Sequence, residues 1–253
     1  MTQAALVQTR RDGGVMVITM QREHKRNAVD RQLADALDAA FNTMEDDPEV
    51  IAGVLTGGTS VFCAGSDLSS GGDYVTERGG EYGIIRRQRR KPLIAAVEGF
   101  ALGGGMEIVL ARDMVVAAGN ASFGLPEVIR GVLPTCGALF RTAQSLPANI
   151  AREMVVTGQP ISATRAYECG LVNHLTLPGE ALAKALEIVH RIGQNAPLSV
   201  QASLAAMNGM LAMADAHGWE ATDAARASIS ETEDFKEGVR AFFEKRAPVW
   251  KGQ

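Results

Sequence analysis

Three consecutive glycines, Gly103-Gly104-Gly105, stand between an apolar run and a carboxylate in Ala101-Leu102-Gly103-Gly104-Gly105-Met106-Glu107. Such a triplet weakens helix and strand alike. Pro92–Val97 before it reads as a buried strand, and a helix is expected after it, running to about Arg112. The glycines therefore mark a strand-to-helix junction. The first N–H groups of a helix have no internal partner, and the helix dipole adds partial positive charge there. The turn suits either a tight helix–strand crossing or a ligand oxygen that gains negative charge. A Gly-x-Gly-x-x-Gly dinucleotide fingerprint is absent and the turn lies mid-chain, which argues against NAD.

Elements around this junction are read from periodicity. Val15–Met20 is β-branched and comes after Asp12-Gly13-Gly14, so a hairpin with Leu6–Thr9 is expected. Leu33, Leu37, Ala40, Phe41 and Met44 share one helical face, with a cap near Asp30 and a stop at Asp46-Asp47-Pro48. Val50–Thr56 and Met114–Ala118 read as further buried strands, and Leu171–His174 as a short one. A short charged helix is expected over Glu81–Arg90. From Gly179 on the pattern is helical. The alternation implies an α/β core over residues 1–195 and a C-terminal helical region over 196–253.

With 253 residues, 46% of them hydrophobic, the chain can bury a large core. Its net charge of −4 argues against nucleic-acid binding. No run reaches the ~18 uninterrupted apolar residues of a membrane helix, and the N-terminus has no apolar signal core. Cys63, Cys136 and Cys169 fit no metal or disulfide spacing and are expected as small core residues. A soluble protein of the reducing cytoplasm is the expectation.

Two glutamates carry the chemistry. Glu107 lies about three residues into the helix, where it caps the helix start or stands as a carboxylate beside the anion-stabilising turn. Glu127, in Phe123-Gly124-Leu125-Pro126-Glu127, caps the next element or is a second reactive carboxylate. Two carboxylates in one apolar pocket can divide labour, one protonated and one ionised.

These stretches resemble the crotonase (enoyl-CoA hydratase/isomerase) family. The likeness rests on Phe62-Cys63-Ala64-Gly65-Ser66-Asp67-Leu68, on Lys91–Gly99 running into Ala101–Glu107, and on Phe123–Glu127 with Gly131 beyond it. Arg26-Asn27-Ala28, Thr157-Gly158, Gly170-Leu171-Val172 and the C-terminal Glu237-Gly238 add to it, so it spans nearly the whole chain. The resemblance implies a spiral of ββα units with a C-terminal helical extension. It implies an acyl-CoA substrate, no separate cofactor or metal, and a homotrimer or a homohexamer of paired trimers.

By position, the oxyanion donors would be the backbone N–H groups of Ser66 and Gly104. Glu107 would act as base on water and Glu127 as proton donor to the α-carbon. Substrate contacts would come from Lys25, Arg26, Ala28, Ala64, Gly65, Asp67, Leu68, Gly103, Pro134 and Thr135, with Phe242 and Lys245 reaching CoA from an adjacent region. Two departures stand out. Ser69 replaces a lysine that many hydratases carry, and Thr135-Cys136 replaces small residues near the catalytic water. Enoyl-CoA hydration leads. A dehydratase of the carnitinyl-CoA type (suggested by Pro248–Gly252), a Δ3,Δ2-enoyl-CoA isomerase and a non-catalytic CoA-binding protein are the alternatives.

Overall fold

The computed structural model describes residues 5–72 and 74–253. The opening hairpin pairs β1 (Val7–Asp12) with β2 (Val15–Met20) antiparallel, with Asp12 opposite Val15. Helix α1 (Arg31–Asp46) starts where the Asp30 carboxylate accepts from the Leu33 N–H at 2.9 Å. Its expected face is buried against the sheet.

Next come β3 (Ala52–Thr56), β4 (Val75–Thr76), β5 (Gly80–Glu81), β6 (Leu93–Val97), β7 (Phe100–Leu102), α2 (Gly104–Leu110), β8 (Met114–Ala118) and β9 (Ser122–Gly124). The chain continues through α3 (Ala138–Ser145), α4 (Ala148–Thr157), β10 (Ile161–Ser162), α5 (Ala163–Glu168), β11 (His174–Thr176), α6 (Ala181–Ile192), α7 (Pro197–Ile229) and α8 (Glu233–Glu244).

The main sheet has the order β1-β2-β3-β6-β8-β11 and is parallel beyond its first pair. Its inner strands are buried on both faces, which explains their unbroken apolar sequence. Ala181, Ala185 and Val189 of α6 cover one face, against Val54, Ile94 and Val116. The larger core fills the other face.

A second, smaller sheet, β10-β9-β7, was not expected from the sequence, because its strands are only two or three residues long. It explains the spiral. Strand pairs β6–β7 and β8–β9 each place their first member in the main sheet and their second in the small one. Two parallel bridges, Val29 with Ser66 and Cys63 with Ala101, carry the small layer back to the earlier turns of the chain.

Two expectations are corrected. Residues 81–90 form no helix. Tyr82 and Gly83 both have positive φ, 55° and 76°, which breaks helical continuation. The basic residues there reach to other elements instead: Arg87 bonds Asp38 at 2.5 Å, Arg89 bonds Asp113 at 2.6 Å, and Arg86 lies 3.7 Å from the Trp219 ring centre. They act as tertiary staples and not as the charged face of a helix. The last strand lies at His174–Thr176 and not Leu171–His174, because the Leu171 and Val172 N–H groups still bond the Ala166 carbonyl at the end of α5.

Candidate active site

The register of the small layer assembles the site. Cys63 pairs with Ala101, so Ser66 and Gly104 each lie three residues beyond a matched pair. Phe123 pairs with Ala101 on the other side, which brings the Glu127 turn alongside. The turns touch: a Cβ built on Gly65 would lie 3.0 Å from the Gly104 nitrogen, and one on Gly103 would lie 3.1 Å from Glu127 Oε1. Gly103 has φ +56° and donates to the Gly124 carbonyl at 2.9 Å. A side chain on Gly105 would fall on the Cys63 carbonyl. The triple glycine is therefore required by backbone approach.

Neither the Ser66 nor the Gly104 N–H donates to another described residue. Gly104 opens α2, so its N–H lies at the positive end of the helix. Two adjacent amides with free donors can hold one oxygen that becomes negative.

Glu107, in the first turn of α2, is 2% exposed. Its Oε1 accepts from the Cys136 N–H at 2.7 Å and the Ala138 N–H at 3.2 Å. Burial pushes its pKa up to about 7, against the pull of those two bonds. Glu127 sits in a short 3-10 turn, Pro126–Arg130. Burial, and then the nearby Glu107 charge, push it up to about 8. Its Oε2 is buried with no hydrogen-bond partner among the described residues. The two carboxylates therefore differ in kind: Glu107 is held by donors that favour its ionised form, while Glu127 keeps its proton more readily.

That difference has a measurable consequence. Between pH 4.5, the ordinary value for both groups, and pH 8, the folded chain holds protons that the unfolded chain has lost. Stability must then fall as pH rises through this window. Glu127→Gln removes part of the slope and is expected to be the more stable protein at pH 8, by on the order of 2 kcal/mol. Thermal melts of both proteins at pH 5 and pH 8 check this; equal slopes would contradict it.

The other residues singled out from the sequence fall in two groups. Lys25, Arg26, Ala28, Ala64, Gly65, Asp67 and Leu68 come together, because Val29 and Ala64 exchange backbone bonds with Gly65 and Arg26. Lys25 and Arg26 are exposed, and Leu68 is 42% exposed. The Asp67 carboxylate is engaged: it accepts from Ser69 Oγ at 2.5 Å and from Arg22 at 2.9 Å, and these bonds lower its pKa to about 2. Ser69, in the place of the family's lysine, thus closes this turn. Pro134 is buried and Thr135 half-buried beside the Cys136 amide that holds Glu107. Phe242 lies under the Arg130 guanidinium of the same chain, 4.4 Å away, and so braces the Glu127 turn.

Four residues were not singled out as functional. Arg22 bridges Asp30 and Asp67. Tyr74 and Tyr82 stack at 4.5 Å beside Ser66, and Cys136 is more than a core filler. Residues 81–90 read as a helix from sequence; Gly83, close after Gly79-Gly80, is the one local feature that could have marked a turn at Tyr82.

The family described as enoyl-CoA hydratase/isomerase matches residues 10–253. The chain is 36% identical to enoyl-CoA hydratase EchA19 of Mycobacterium tuberculosis, over 96% of its length and 95% of that protein. It is 37% identical to carnitinyl-CoA dehydratase of Salmonella typhi, over 96% of its length and 97% of that protein. The crystal structure of carnitinyl-CoA hydratase from Mycobacterium avium superposes with a TM-score of 0.94 at 41% identity, covering 99% of this chain and 100% of that one. The spiral, the paired glutamates and these full-length likenesses agree: the chain belongs to the enoyl-CoA hydratase/isomerase family, the crotonase fold.

Proposed function

We propose that this enzyme adds water reversibly to trans-2-enoyl-CoA thioesters. The observation that carries the reading is the pair of unequal buried carboxylates beside two free amides. The thioester oxygen is held by the Ser66 and Gly104 N–H groups. Glu107, ionised, takes a proton from water as its oxygen attacks the β-carbon. Glu127, protonated, gives its proton to the α-carbon as the enolate collapses. The carboxyls exchange roles in the reverse direction. The chemistry uses only these groups, with CoA as part of the substrate. In this reading Lys25 and Arg26, both exposed, bind the CoA phosphates, and Ala28, Ala64, Leu68, Pro134 and Thr135 line the rest of the ligand's path.

A second reading, dehydration of a carnitinyl-type hydroxyacyl-CoA, is favoured by the likeness to proteins of that name. It uses the same two glutamates in reverse. An isomerase needs one base only, and the second glutamate speaks against it. We also propose a trimer or paired trimers in the cytoplasm. Exposed Leu198, Met207, Met210 and Met213 on α7 support the assembly. No helix among the described residues is long and apolar enough to cross a membrane.

Loss of the conjugated thioester's ultraviolet absorbance on mixing with crotonyl-CoA and longer enoyl-CoAs tests the lead reading. Steady loss with a 3-hydroxyacyl product is expected. Absence of hydration at every chain length would overturn it, and faster turnover of a carnitinyl-type substrate would select the second reading.

A further inference from the structure

Tyr82 is fully buried, yet its hydroxyl lies at the meeting point of all three parts of the site. It is 2.7 Å from Ser66 Oγ, and the Cys136 thiol donates to it at 3.4 Å. Its ring packs on Gly104 so closely that a Cβ there would lie 2.5 Å from the Tyr82 oxygen. One side chain thus touches both residues whose amides face the thioester oxygen, and the residue whose amide holds Glu107.

Its backbone makes the arrangement more pointed. Tyr82 has φ +55°, a region that a bulky side chain rarely adopts. Strain of this kind persists where the surroundings over-determine it, and it concentrates at functional sites. The surroundings are visible. The Tyr82 N–H donates to the Tyr74 carbonyl at 2.9 Å, and the two rings stack at 4.5 Å. The turn behind it is fastened by Arg87 to Asp38, and the Ile85 carbonyl accepts from Arg141 at 3.0 Å.

The Cys136 thiol donates to the Tyr82 oxygen, and the Tyr82 and Ser66 hydroxyls share a bond in which either can donate. A buried hydroxyl bonded to two neighbours restricts the rotation of each. Ser66 belongs to the turn after Cys63, and Cys136 to the segment that enters α3; no backbone hydrogen bond joins the two.

We propose that Tyr82 is a positioning residue that sets the oxyanion amides of Ser66 and Gly104 in register with Glu107. This rests on the hydratase reading above. It acts through the Ser66 and Cys136 contacts and does not touch the substrate.

The test uses Tyr82→Phe, which keeps the ring and removes the hydroxyl, and Ser66→Ala, which keeps the amide and removes the same bond. Each is expected to lower kcat roughly tenfold with KM within about twofold, because misplaced donors act in the transition state. Combined, they should lose no more than Tyr82→Phe alone, since the bond that Ser66→Ala deletes is one of the two that Tyr82→Phe deletes. A second readout needs no turnover: a dimethylaminocinnamoyl-CoA probe, whose absorbance shifts to the red when its thioester carbonyl is polarised. That shift should shrink in both variants.

Wild-type kcat and an undiminished probe shift in Ser66→Ala would overturn the proposal, even if Tyr82→Phe failed to fold. So would a Tyr82→Phe that melts early but polarises the probe fully. A wild type that hydrates no enoyl-CoA yet shifts the probe would sink the hydratase reading, while the probe still reports on Tyr82.

Discussion

Glu107→Gln and Glu127→Gln should each lower kcat for enoyl-CoA hydration by about 10²–10⁴-fold, the usual contribution of a placed proton-transfer group. Both substitutions preserve shape, so KM should change little. The two variants should nevertheless differ. Glu107 sits on the donors of Cys136 and Ala138, so a glutamine there can keep its oxygen on those amides and leave the fold undisturbed. It loses the base. Glu127 has a buried oxygen with no partner, so a neutral amide relieves repulsion as well as removing the acid. Glu127 still holds its proton where Glu107 ionises, so Glu127→Gln leaves the charge around Glu107 unchanged there. The acidic limb of the pH–rate profile, which reports Glu107 losing its proton, should therefore stay in place, while the alkaline limb, which reports Glu127 losing its own, should disappear. A variant of either kind with full activity would show that its carboxylate is not a proton carrier.

Gly104→Ala should be nearly as damaging, by roughly 10²–10³-fold in kcat, the cost of losing one oxyanion donor. The reason is steric. The new Cβ would press on the Tyr82 oxygen and ring, which are fully buried and cannot swing away. Helix α2 must shift its first turn, and the Gly104 N–H leaves its line with Ser66. Substrate binding depends on many more contacts, so KM should change much less than kcat. Steady-state kinetics with crotonyl-CoA check this. A variant with wild-type kcat would mean that this amide does not hold the oxygen.

The strands and α1 were legible because their burial is written along the chain. Periodic apolar residues and the Asp30 cap need no distant partner to be recognised. Glycines 103–105 were legible as a junction, although only the resemblance attached Ser66 to it. The direct partners of these groups were not legible. The Glu81–Arg90 charges look like a helix surface, whereas Arg87 and Arg89 answer carboxylates far along the chain. The small sheet has strands too short for a pattern. Cys136 holds Glu107 through its backbone N–H, which no side-chain type announces. Tyr82 matters through a positive φ and through contacts 16 and 54 residues away.

The most direct measurement is the reaction of crotonyl-CoA in water enriched in deuterium and heavy oxygen, with the product weighed by mass spectrometry. The proposed mechanism predicts one heavy oxygen at the β-carbon and one deuterium at the α-carbon in the wild type, and little of either in the two glutamine variants. A product lacking the heavy oxygen, or a labelled product made at the wild-type rate by either variant, would contradict it.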